Sequence, residues 1–144
     1  MQGDEIPDSD HVSRYCKPRS ISLSTGRPTG ASFMLRENEA FLSINWLEEL
    51  NQTSRESEIN ELRQVFKNKP FQVATTGVFA VINVGRTKSS VVEGAPDSTV
   101  LKFIHEPEDD DPSHSGIFGF THEENLIAEL IADSVIETHD ARQR

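Results

Sequence analysis

The densest run of potential ligand side chains is His105-Glu106-Pro107-Glu108-Asp109-Asp110-Asp111-Pro112-Ser113-His114. Imidazole and carboxylate hold zinc, manganese and iron, and grouped carboxylates alone suit magnesium or calcium. Within the run, His105, Asp109, Asp111 and His114 are the candidates for a divalent-metal site that activates water. Their spacing lacks the Asp-x-Asp-x-Asp-Gly order of a calcium loop, and neither histidine falls in an HExxH pattern. The plainer alternative is a solvated acidic loop. A third is a docking surface on which Glu108, Asp109, Asp110 and Asp111 meet a basic partner.

Three smaller constellations carry other chemistry. Asn83-Val84-Gly85-Arg86-Thr87-Lys88 follows an apolar run, the setting in which backbone amides bind phosphate, so Arg86 and Lys88 are candidate anion ligands. A P-loop needs a second glycine and Gly-Lys-Ser/Thr, which this segment lacks. His11 and Cys16 invite a nucleophile and base on one short segment, but a lone cysteine is more often a small buried hydrophobe. Arg14 and Tyr15 beside them are better read as ligand contacts. In Ser115-Gly116-Ile117-Phe118-Gly119-Phe120 the large apolar side chains either staple the helix that follows or, through Phe118, offer a binding patch.

The elements that must position these residues are read from periodicity. Residues 31–36 and 40–50 flank Glu37-Asn38-Glu39, a spacer of hairpin length, and Phe33 and Leu35, like Leu42 and Ile44, alternate with polar or small neighbours, so two strands are expected, the second passing into a short helical turn around Trp46 to Leu50. Thr53-Ser54-Arg55-Glu56 has the form of a capping box, and Ile59, Leu62, Val65 and Phe66 follow at spacings of three and four, so residues 54–67 should be a helix. Residues 78–84 read as a buried central strand, residues 87–93 as a short helix and residues 100–104 as a fourth strand. After the acidic loop, Thr121-His122-Glu123-Glu124 forms a second capping box, with Leu126, Ile127, Leu130, Ile131 and Val135 on one helical face. This mixture without strict βαβ alternation predicts one compact α+β domain. Its sheet, mixed or antiparallel, would have about four strands packed by two main helices. Residues 11–138 should form it, between a flexible acidic tail at 1–10 and a second flexible tail at 139–144.

The chain has 144 residues, a formal net charge of -10 and one cysteine. A disulfide scaffold is therefore excluded, and a reducing compartment fits. Its acidic start differs from a secretory signal, and its longest apolar stretch is far short of the ~20 residues that span a bilayer, so a cytoplasmic protein away from membranes is expected. Charge is unevenly spread: residues 1–102 carry 12 Lys and Arg against 13 Asp and Glu, whereas residues 103–144 carry 2 against 11. Such a field repels nucleic acid and attracts basic partners.

The segments Arg14-Tyr15-Cys16-Lys17-Pro18, Leu42-Ser43-Ile44-Asn45-Trp46-Leu47-Glu48 and Pro112-Ser113-His114-Ser115-Gly116-Ile117 resemble those of small bacterial proteins of unassigned function. The resemblance spans much of the chain and implies no activity, cofactor or partner. The functional expectation thus rests on the residues. It is a non-enzymatic interaction module, open to homo-oligomerisation, whose acidic C-terminal surface engages a basic protein without a cofactor. The alternative is a small metal-dependent hydrolase or phosphotransfer enzyme built on the His/Asp loop.

Overall fold

The computed structural model describes residues 2–142. Its centre is an antiparallel sheet of six strands: β1 (His11–Cys16), β2 (Leu42–Trp46), β3 (Val78–Asn83), β4 (Lys102–His105), β5 (His114–Phe118) and β6 (Val135–Asp140), in the order β4-β5-β2-β1-β3-β6. Three helices complete it: α1 (Arg55–Lys67), α2 (Val84–Gly94) and α3 (Asn125–Asp133). None is long and apolar enough to cross a membrane.

The sheet is buried on both faces. On β3, Ala80 and Ile82 face one core with Val12, Leu42, Ile44 and Ile117, closed by α2 and α3 through Val91, Ile127 and Ile131. Phe79 and Val81 face the opposite core with Ile59, Leu62 and Phe66 of α1. A strand that is apolar on both alternating faces is the signature of a central strand, and β3 meets that condition from Val78 to Ile82. The α1 face is covered unevenly. Over β3 it is apolar, but the register Ser13↔Asn45 and Asn45↔His114 carries a polar row across β1, β2 and β5 on that same side.

The α+β class and the helix over 54–67 agree with the pattern of residues: Ser54 accepts the Ser57 amide and starts α1 one residue later. The strand number is corrected from about four to six: β1, β5 and β6 are added, and the strand expected over 31–36 is absent. β1 was hidden because Val12 and Cys16 are its only apolar residues on one face, with Arg14 between them. β6 was hidden because no Gly or Pro separates it from α3; Ser134 ends the helix by donating both N–H and Oγ–H to carbonyls of the last turn, at Ile131 and Leu130. Val135 consequently opens a strand instead of closing the helix. Residues 31–36 form no strand, since Gly30–Phe33 is a 3-10 turn, although Phe33 and Leu35 are buried as their apolar character demands.

The last helix also starts later than its capping box. Glu124 accepts the Thr121 amide in a turn that precedes the helix, leaving no acid in the first turn of α3. The N-terminal segment, expected to be mobile, is paired: the Gly3 and Ile6 amides donate to the His105 and Phe103 carbonyls, His105 returns a bond to Asp4, and Ile6 is buried. It thereby covers the outer edge of β4. His139 and Asp140, expected in the C-terminal tail, belong to β6; Met1, Gln143 and Arg144 lie outside the described residues.

Candidate functional site

The run from His105 to His114 is an ordered hairpin rather than a solvated loop. The Glu106 amide donates to the His114 carbonyl, and Glu108 and Asp111 exchange amide bonds at 3.1 Å each, which leaves Asp109 and Asp110 at the tip. Asp111 turns inward and is 0% exposed. Its carboxylate accepts from Asn45 Nδ2 at 2.8 and 3.0 Å, from Ser113 Oγ at 3.1 Å and from Lys69 Nζ at 2.8 Å. A buried carboxylate without such partners would be neutralised or would unfold its surroundings, so these three residues are what allow it to sit there as an anion. Lys69 follows α1, lies over the Phe66 ring at 5.3 Å and also reaches Glu108 at 3.8 Å.

The proposed metal ligands point elsewhere. His105 Nε2 faces the Pro112 carbonyl at 2.8 Å, and His114 Nδ1 faces the Glu106 carbonyl at 2.8 Å. A carbonyl only accepts, so each of these nitrogens carries the proton. By the strand register His105 shares the face of Phe103 and Ile117, whereas His114 shares that of Asn45. The two imidazoles therefore lie on opposite faces of the sheet, with Asp109 exposed at the tip and Asp111 engaged by Lys69. Among the described residues no three His, Cys, Asp or Glu side chains form a group able to hold a metal.

The tautomer assigned to His114 aims its bare Nε2 at Ser43 Oγ, 3.2 Å away. That is the contact a serine nucleophile makes with its base. Here, however, a backbone carbonyl orients the base, and a carbonyl offers no full countercharge to an imidazolium. The pair instead ties β2 to the hairpin.

The candidate ligand contacts are also spent on structure. Arg14 donates from Nε and Nη1 to the Ser32 and Ser43 carbonyls, both at 2.9 Å, and burial lowers its pKa from the ordinary arginine value. Its neighbour Cys16 is buried, and that burial raises the thiol, which opposes the nucleophile reading. Tyr15 accepts the Ala74 amide at its hydroxyl and stacks with Phe71 at 6.0 Å. At the start of α2 the amides that would cradle a phosphate are taken: Val84 donates to Asp10, Gly85 to Asp8 and Arg86 to the Asn83 side chain. Lys88 pairs with Asp8 at 2.9 Å, and the Arg86 side chain is exposed.

Phe118 lies at the end of β5. It packs against Phe41 with ring centroids 4.8 Å apart, over Gly116, whose missing Cβ makes room for the Phe41 ring. Among the expected partner contacts, then, Asp111 is removed by burial and Phe118 is half covered, while Glu108, Asp109 and Asp110 remain exposed. The pairing of residues 3–6 with β4 sets exposed Glu5 opposite Ile104, and Gln2 reaches Glu106 at 3.4 Å. Asn45, Lys69 and Ser43 were not foreseeable as site residues: Ser43 and Asn45 fill the polar positions of an alternating strand, Lys69 lies in a polar stretch after α1, and the role of each is set by a partner 42 to 71 positions away. No family model, no curated protein and no solved structure matches the chain.

Proposed function

We propose that this chain is an interaction module that engages a basic protein partner through the acidic corner formed by the hairpin tip and the N-terminal segment. The observation that carries this reading is the register of residues 3–6 on β4, which sets Glu5 opposite Ile104 and Gln2 at 3.4 Å from Glu106, on the strand that runs into exposed Glu108, Asp109 and Asp110, although a hundred positions separate the two segments in the chain. Like charges held together cost energy, and the buried Asp111–Lys69 pair anchors the hairpin against their repulsion. A surface fixed before binding loses little conformational entropy on contact, and its field speeds encounter with a cationic partner.

The test is fluorescence anisotropy with a labelled peptide of alternating lysine and arginine. Asp109→Lys with Asp110→Lys should weaken binding by about tenfold or more. The control pair Glu129→Lys with Asp133→Lys on α3 alters net charge equally and should change affinity by about twofold at most. Equal weakening by both pairs would mean that only net charge matters and would end the proposal.

A further inference from the structure

The sequence of α1 carries a second polar stripe, opposite to the face it buries. Asn60, Arg63, Gln64 and Lys67 stand at i, i+3, i+4 and i+7, so they share one side of the helix. They form one wall of a concave site of about 670 Å³ whose other wall includes Arg142 and whose floor is apolar, made of Phe66, Phe71, Val73 and Ala141. That volume falls in the range of small-molecule sites, roughly 300–1,000 Å³.

Two features of this groove are unusual for the molecule around it. Phe71 is 45% exposed, yet it is braced by Tyr15 at 6.0 Å in a stacked arrangement and by the edge of Phe66 at 5.9 Å. An exposed ring held rigidly by two others is a stacking surface prepared in advance. The rim is cationic although the chain carries a net charge of -10: Arg63, Lys67 and Arg142 all line it. Arg63 is oriented by bonds from Nε and Nη2 to the Asp140 carbonyl and from Nη1 to Asn60, and Arg142 by Thr75, so two of the three cations are positioned by the protein itself. Lys67 has no ion-pair partner among the described residues.

We infer that this groove binds a small anion with a flat apolar body, of the class of an aryl carboxylate or sulfonate, whose ring stacks on Phe71 while its charge meets Arg63, Lys67 and Arg142. The inference is independent of the acidic corner, which involves none of these residues. The charge complementarity favours an anion over a neutral ring, and the single braced aromatic favours a planar body over an aliphatic chain.

The probe is 8-anilino-1-naphthalenesulfonate, titrated by fluorescence into the folded chain, beside N-phenyl-1-naphthylamine, which has the same rings without the sulfonate. One saturable site is expected for the sulfonate, about tenfold weaker for the neutral analogue, and about tenfold weaker again in both Lys67→Glu and Phe71→Ser. Lys67 is exposed, so the thermal midpoint of Lys67→Glu should stay within about 2 °C of the parent, and Phe71→Ser, which also loses packing on Tyr15 and Phe66, is titrated well below its own midpoint, which separates site loss from unfolding. Equal affinity for the two dyes, binding unchanged in both variants, or no saturable binding would each overturn the proposal.

Discussion

Among the described residues Lys69 is the cation paired with Asp111, and the cost of Lys69→Met can be worked from the geometry. Lys69 is 13% exposed and Asp111 0%, so the carboxylate left behind cannot be rehydrated where it stands. Deleting one partner of a buried pair costs roughly 3–5 kcal/mol. Asn45 and Ser113 would still donate to the carboxylate, and bonds to a charged group are worth about 1.5–3 kcal/mol each, which places the loss at the lower end, near 3 kcal/mol. For a chain of this length that corresponds to a fall in thermal midpoint of about 10 °C. Urea and thermal unfolding should agree, and raising NaCl to 0.5 M should leave the difference unchanged, because screening acts weakly on a buried pair. Adding Asp111→Asn removes the stranded charge and should restore about half of the loss. A loss below about 0.5 kcal/mol, the value of an exposed ion pair, would refute the argument. So would a double variant no more stable than Lys69→Met alone.

Gly116→Ala should cost about 1–3 kcal/mol in urea unfolding, because the new Cβ would press into the Phe41 ring and separate it from Phe118. Ser13 Oγ is buried with no hydrogen-bond partner among the described residues, so Ser13→Ala should be neutral or raise stability by up to about 1 kcal/mol; a clear loss would refute this. Burial opposes the charge of Glu137, but bonds from His139 and Arg55 outweigh it and hold the carboxyl below its usual range. A group depressed in the folded state contributes stability that is present above its unfolded pKa and is lost as pH falls through its folded one. The midpoint difference between the parent and Glu137→Gln should therefore be constant near neutrality and shrink as pH drops below about 4; a difference that persists at pH ~2 would count against it.

What could be read from the sequence divides along a physical line. α1 and β3 were legible because each carries its own signal, a cap with a 3.6-residue period in one and an unbroken apolar run in the other. β1 and β6 were not, because β1 owes its state to β2 and β3 on either side of it and β6, an edge strand, to β3, and because a half-polar segment does not announce its burial. The site shows the same division. The spacing of His and Asp marked the right hairpin, but the direction of each side chain depends on Asn45, Ser43 and Lys69, which no local periodicity connects to it. Arg14 illustrates the cost of ignoring this: a cation on a strand looks like a ligand contact until two distant carbonyls are found to claim it.

The strand order also governs how the chain is made. β2 pairs with β1 on one side, but its other neighbour is β5, whose residues 114–118 are synthesised some seventy positions later. At roughly 5–20 residues per second, that edge waits about 4–14 s on the ribosome, exposing backbone donors beside Leu42 and Ile44. The N-terminal segment waits longer still for β4. A nascent chain with so late a closing strand gains from a chaperone that shields an unpaired edge, and its yield on expression should rise when translation is fast relative to aggregation.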